Sequence, residues 1–297
     1  MNILIIGSDS FIARHFISFL KDTDVKCISR TNSCSQNEKI FPDLFSIPDC
    51  EFAGRDIVYN FAAIVHRPEI KDENIYNEVN YKLAILNAQK AKKAGVRLFI
   101  QMSTIAVYGN ASEISIDTPC NPQNPYGKSK LKADEGLLAM QDEKFKVAIV
   151  RPPMVYGGDK APGNMMRLIK LVDKGIPLPF RGVNNIRDFI HVKNLIQYLQ
   201  IIFEKQLNGI FLISDNEPVS TEKLIIYISK YLEKNVLLIK IPAFCLNILR
   251  VTKPNEFEKL FGTLFIKTNF PFEDNICRFT VEEGIKEMVE WHLKSKN

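Results

Sequence analysis

Cysteine, histidine and tryptophan are sparse in this sequence: six, four and one among 297 residues. The cysteines stand at 27, 34, 50, 120, 245 and 277, with no C-x-x-C pair and no His/Cys cluster at metal-ligand spacing. That argues against a zinc module, predicts no bound metal, and suits a reducing compartment where each thiol is a small core or surface residue. No run of about 18 apolar residues occurs, so no membrane span is expected. The opening Met1-Asn2-Ile3-Leu4-Ile5-Ile6 has no basic flank and is too short for a secretory leader, which points to the cytoplasm. The net charge of +5 comes from 39 basic and 34 acidic residues. No basic block is dense enough for a nucleic-acid arm, and Lys90, Lys92, Lys93 and Arg97 fall on or beside a solvated helix. The apolar stretch 236–251 is broken by Lys240, Pro242 and Arg250, and reads as a packed strand-to-helix region.

What the sequence does contain is alternation. Residues 3–6, 25–28, 56–61, 96–102 and 145–150 are short apolar strands. Between them, residues 11–20, 77–94 and 126–140 have helical periodicity, the second stopped by Gly95. Short apolar strands alternating with helices predict parallel βαβ units and a doubly wound α/β sheet of Rossmann type. After Gly157 the composition shifts. The expected division is a cofactor-binding domain over 1–157 and 183–213, with a smaller substrate lobe from 158–182 and 214–297.

The first strand-to-helix turn reads Gly7-Ser8-Asp9-Ser10-Phe11-Ile12-Ala13. It keeps the spacing of a dinucleotide turn, with Ser10 and Ala13 where glycines are usual. Gly7, Ser10, Phe11 and Ile12 are therefore expected beside a pyrophosphate at the helix N-terminus. A second strand that serves NAD usually ends on a carboxylate for the ribose 2′-hydroxyl, and here it ends on Ser29-Arg30. A hydroxyl and a guanidinium accept a 2′-phosphate, so NADP(H) is favoured, with NAD(H) the other possibility.

Tyr126 and Lys130, four residues apart after Pro125, share one helical face. A free phenol exchanges protons poorly at neutral pH, and a nearby ammonium lowers its pKa, so the pair forms an acid/base unit. Ser103-Thr104 ends the preceding strand, where a hydroxyl can meet the reacting oxygen. Asn60-Phe61-Ala62-Ala63 ends the strand before that, and Arg151-Pro152-Pro153-Met154-Val155-Tyr156-Gly157 and Arg187-Asp188-Phe189-Ile190-His191 follow later. His66 and Arg67 are either substrate-facing or simply surface residues.

Taken together and in this order, these motifs resemble the extended short-chain dehydrogenase/reductases, the group of sugar-nucleotide epimerases, dehydratases and reductases. The resemblance implies a core of about seven parallel strands and a C-terminal lobe for a nucleotide sugar, most simply a UDP-sugar. It implies catalytic Thr104, Tyr126 and Lys130. It places Asp43, Leu44, Phe61, Ala62, Ala63, Asn80, Lys130 and Pro153 at the cofactor. It places Ser103, Thr104, Asn164, Pro179, Arg187 and His66 at the substrate. It also implies a homodimer through the helices carrying Asn80 and Tyr126. Two departures stand out: Asn194 replaces a usual aspartate, and a C-terminal Gly-Trp segment is missing.

A 4,6-dehydratase places acid/base carboxylates directly after the catalytic threonine, and this chain has Ile105 and Ala106. Two reactions remain. The Ser29-Arg30 pair favours NADPH-dependent reduction of a 4-keto-6-deoxy-hexosamine nucleotide for surface polysaccharide. The alternative is an NAD-dependent UDP-sugar 4-epimerase, and a non-catalytic dinucleotide sensor is the remaining contrast.

Overall fold

The computed structural model describes residues 2–20, 24–31, 37–65, 72–276 and 278–296. Its centre is a seven-stranded sheet in the order β10-β7-β5-β4-β1-β2-β3, with every pairing parallel. The strands are β1 (Asn2–Ile6), β2 (Asp24–Ser29), β3 (Glu38–Ile40), β4 (Ile57–Asn60), β5 (Leu98–Met102), β7 (Lys146–Arg151) and β10 (Gly209–Leu212). The α/β class and the Rossmann-type sheet expected from the sequence are what the chain adopts.

The central strands β1, β4, β5 and β7 are largely apolar because both faces of the sheet are covered there, whereas the edge strand β3 is Glu38-Lys39-Ile40 and is not buried. In β1, Ile3 and Ile5 point into one core and Leu4 and Ile6 into the other, all with no exposure. Burying each such side chain contributes about 1.5–3 kcal/mol. One face is covered by α1 (Phe11–Phe19) and α6 (Val192–Glu204), through Phe16, Leu195 and Tyr198. The other carries α3 (Leu83–Lys93) and α4 (Pro125–Leu138), through Leu83, Ala88, Ala133 and Leu137.

The helix expected over 77–94 begins earlier, at α2 (Glu73–Tyr76), and runs through a wider π-helical stretch, Asn77–Lys82, before α3. Such a widened turn re-aims side chains. Asn80 sits in it with no exposure.

A third core joins α5 (Asn164–Asp173), α7 (Thr221–Leu232) and α10 (Val281–Lys294) with the chain around Tyr156 and Phe189. Two short parallel pairs flank it: β8 (Met154–Tyr156) with β9 (Phe189–His191), and β6 (Glu113–Ile114) with β11 (Phe265–Ile266). His191 ties this region to α10. Its Nε2 lies 3.0 Å from Glu287, and its ring stacks on Phe279.

The expectation for residues 236–251 needs correction. Leu178 and Leu238 form a bridge, so the first part is strand-like and packed. The helix that follows, α8 (Ala243–Thr252), contains no buried residue, and it rests chiefly on α9 (Pro254–Phe261). Interruption by Lys240, Pro242 and Arg250 prevented a span, yet it did not produce a packed helix.

Candidate active site

Strand order reverses between β1 and β4, which opens a crevice at the carboxyl ends of the strands. A cleft of about 200 Å³ lies there. Its walls include Gly7, Ser10, Arg30, Asp43, Leu44, Phe61, Ala62 and Ala63, eight of the residues expected at a cofactor.

Gly7 has φ +81, and a Cβ on it would come within 2.6 Å of the Ala62 backbone nitrogen. Only glycine lets these two loops approach so closely. Ser10 takes a glycine's place without strain because its φ is −71; its hydroxyl caps α1 by accepting from the Ala13 amide. Phe11 and Ile12 form the first turn of that helix, whose amides have no partner within the helix and so suit a phosphate. Asp43 caps the short turn that begins at Leu44, accepting from the Phe45 amide at 2.9 Å. The glycine turn and the unpartnered amides of α1 suit the phosphates of a dinucleotide, and Gly7, Ser10, Asp43 and Leu44 are the residues that would hold it.

Several expectations change here. Ser29 is fully buried, and its hydroxyl donates to the Thr31 carbonyl at 2.5 Å, so it is not presented to a 2′-phosphate. Arg30 alone of that pair reaches the cleft, and it shares the wall with Asp9, a carboxylate the motif reading passed over. Thr31 donates to Asp9 at 3.3 Å, and Ser8 donates to Glu38 at 2.8 Å. The cleft wall thus gains its carboxylate from the first turn, through Asp9, and not from the end of the second strand.

Asn80 is a brace and does not line the cleft. Its amide oxygen accepts from Ile64 at 2.8 Å, and its nitrogen donates to the Ile64 carbonyl and to Ser129. Ser129 in turn donates to the Tyr126 carbonyl at 2.8 Å. Asn80 therefore locks the loop after β4 to the first turn of α4. Pro153 is buried between β7 and β8. His66 and Arg67 lie outside the described residues.

Asn124 starts α4 by accepting from the Gly127 amide at 2.8 Å, and Pro125 occupies the first turn, where a missing amide costs nothing. This fixes Tyr126 against Thr104, whose hydroxyl hydrogen-bonds the phenol. Thr104 also caps the turn 105–108 by accepting from Ala106. Gly127 allows the approach: a Cβ there would meet the Ala106 carbonyl at 2.6 Å.

The electrostatics differ from the expectation that Lys130 makes Tyr126 acidic. Burial pushes the Tyr126 phenol up to about 12, the Thr104 hydroxyl pulls the other way, and the Asp134 carboxylate adds to the rise. Burial also brings the Lys130 ammonium down to about 8, against the pull of Asp134. Lys130 donates to the Met102 carbonyl at 2.9 Å. The phenol is therefore a proton donor in this state.

Asp134 was not foreseen, although its i+4 spacing from Lys130 signals it. It is fully buried, accepts from Ser103 at 2.8 Å and from Arg151 at 2.9 Å, and burial raises it to about 6. Ser103 thus serves this network under the site and is itself buried.

On the lobe side, Asn164 opens α5 and is exposed, as is Pro179. Arg187 commits one guanidinium nitrogen to the Glu258 and Gly262 carbonyls, at 3.1 and 2.9 Å. Asn194 donates to Asp215 at 2.7 Å and exchanges hydrogen bonds with the Phe279 backbone. Its amide suits a site where an aspartate would face another carboxylate.

The NAD dependent epimerase/dehydratase family pattern matches residues 3–213. A UDP-glucose 4-epimerase of Vibrio cholerae is 30% identical over 319 aligned positions, spanning 100% of this chain and 97% of that protein. An N-acetyl-alpha-D-glucosaminyl-diphospho-ditrans,octacis-undecaprenol 4-epimerase of Escherichia coli O157:H7 is 24% identical over 269 positions, 84% of this chain and 80% of that one. Among solved structures, the UDP-glucuronic acid 4-epimerase of Bacillus cereus in complex with NAD superposes with a TM-score of 0.79 at 18% identity, over 100% of both chains. With a cleft at the strand-order reversal, Thr104 after β5, Tyr126 and Lys130 on α4, and these likenesses, the chain is an enzyme of the NAD dependent epimerase/dehydratase family.

Proposed function

We propose that the protein is an NAD-dependent 4-epimerase of a UDP-linked sugar. The observation that carries the reading is the Tyr126–Thr104 hydrogen bond above a buried Lys130, at a dinucleotide cleft, with only Ile105 and Ala106 after the threonine. Neither of these can protonate a leaving hydroxyl, so the site is equipped for proton and hydride exchange at one carbon and not for dehydration. The whole-length likeness to a UDP-glucose 4-epimerase supports the same choice. When bound, the dinucleotide supplies a hydride acceptor that returns what it takes. The chain's own work is positional. Thr104 and Tyr126 hold the 4-oxygen and pass its proton, Lys130 anchors the floor through Met102, and Asn80 keeps the β4 loop against α4. Asn164, Pro179 and the remaining guanidinium edge of Arg187 are the proposed contacts to the nucleotide diphosphate.

We divide the work between residues 1–157 with 183–213 for the cofactor and 158–182 with 214–297 for the sugar. A homodimer through the helices carrying Asn80 and Tyr126 and a cytoplasmic setting complete the proposal. Cys50, Cys120 and Cys245 form no disulfide among the described residues. No helix among the described residues is long and apolar enough to cross a membrane.

The test is to incubate the chain with UDP-glucose or UDP-N-acetylglucosamine and NAD. Interconversion of the 4-epimers with no net change in nicotinamide absorbance is the expected result. The second reading, NADPH-dependent reduction of a 4-keto-6-deoxy-hexosamine nucleotide, is favoured by one observation, Arg30 at the cleft. Stoichiometric NADPH consumption on a 4-keto sugar, without epimer exchange, would establish it instead.

A further inference from the structure

The least protected part of the molecule is α8. Phe244, Ile248 and Val251 recur at i, i+4 and i+7 and are 66%, 58% and 81% exposed. On a helix that spacing makes one stripe, and Cys245, Leu246 and Leu249 fall on the other side and are half-buried. The stripe is flanked by charge of one sign. Lys234 is paired with Asp173 at 2.6 Å; from there to Pro254 the chain carries Lys240, Arg250 and Lys253 and no carboxylate. In α9, Glu256 stands in the first turn and Glu258 in the middle, the latter against Gly262. Immediately before α8, Leu237 and Ile239 are also exposed, on the segment that pairs with Leu178. The neighbouring Pro179 is one of the proposed substrate contacts.

We propose that this face docks on an anionic bilayer surface, with the apolar stripe of α8 entering the headgroup boundary and Lys240, Arg250 and Lys253 meeting lipid phosphates. Charge decides the occupant. A second copy of the chain would bring Lys240, Arg250 and Lys253 against their own like, whereas an anionic lipid surface complements both the stripe and these cations. A short amphipathic helix of this kind gives reversible attachment, which would hold the substrate lobe at the membrane without a spanning segment.

The test uses the full chain without substrate, so its result is independent of the reaction. Flotation is measured with vesicles of phosphatidylglycerol and phosphatidylcholine and with vesicles of phosphatidylcholine alone. Binding to the anionic vesicles is expected to be roughly tenfold stronger or more, and to weaken at about 0.5 M salt. Phe244→Ser combined with Val251→Ser, and separately Lys240→Glu with Arg250→Glu, should each reduce it by about tenfold while turnover of a soluble UDP-sugar stays within about twofold. Equal binding by the variants or to neutral vesicles overturns the proposal. So does absence of binding, or a dimer in sedimentation that the apolar variant dissolves.

Discussion

The Tyr126 phenol, protonated at neutral pH in any case, is held further from ionisation by its burial, against the pull of the Thr104 hydroxyl. The phenol is therefore ready to donate, and a proton must leave it before it can accept one. Replacing it with phenylalanine preserves the packing and deletes the proton. Tyr126→Phe should lower turnover by about 10²–10⁴-fold and leave dinucleotide affinity nearly unchanged. Titration of NAD binding alongside activity checks both halves, and equal loss of the two would contradict the assigned role. Lys130 yields a second prediction, about stability. Its folded pKa of about 8 is below its ordinary value, so the stability it contributes is present above the unfolded value and lost as pH falls through 8. At pH 7 the chain carries that cost, on the order of 3 kcal/mol. Lys130→Met should be inactive yet more resistant to denaturant at pH 7, and that advantage should shrink by about 1 kcal/mol by pH 9. Urea melts at the two pH values decide it.

Elements set these residues in place through close approaches that no single side chain explains. The β1–α1 turn passes the β4 loop so tightly that Gly7→Ala would drive a methyl into the Ala62 amide at a positive φ. That variant should lose about 1–3 kcal/mol of stability together with most dinucleotide affinity. Calorimetric binding and a thermal melt on the same sample measure both. The widened turn of Asn77–Lys82 has a related purpose: it directs the Asn80 amide inward, where it satisfies both polar groups of Ile64 and reaches Ser129. Asn80→Ala leaves those groups unpaired and should cost about 1–3 kcal/mol. The loop over 62–65 should then exchange its amides faster, a change readable by hydrogen exchange.

Across the whole molecule, the junction between the sheet and the lobe is a buried cluster around Asp215. Its carboxyl is pushed up to about 6 by burial, against hydrogen bonds from Asn194, the His191 amide and Tyr156. A raised folded value means that the chain favours the protonated form, so this group's contribution is full below the unfolded value and falls as pH rises through 6. Asn194→Asp would set a second carboxylate 2.7 Å from the first. At pH 7 that variant should lose about 2–4 kcal/mol, with part recovered near pH 5, where the two groups share a proton. Denaturation profiles at the two pH values give the answer, and a loss unaffected by pH would show that charge is not the cause. The opposite situation holds at α8, where the fold leaves apolar side chains in water and charge around them.

Local periodicity by itself determined the alternation of strands and helices, the parallel sheet, the dinucleotide turn at Gly7 and the Tyr126–Lys130 face. The helices, the turn and the shared face depend on contacts within a few residues, and the sheet shows itself in the apolar character of its central strands, so the signal is in the chain. Only tertiary structure decided what is set by partners far away in sequence. Asp9 joined Arg30 at the cleft, and Asn80 became a brace between the β4 loop and Ser129. Asp134 met Ser103 and Arg151 under the site, and the Tyr126 phenol rose instead of falling. The physical reason is common to all of them. Burial removes water from a group, and which polar atoms replace that water depends on how distant strands and helices pack together.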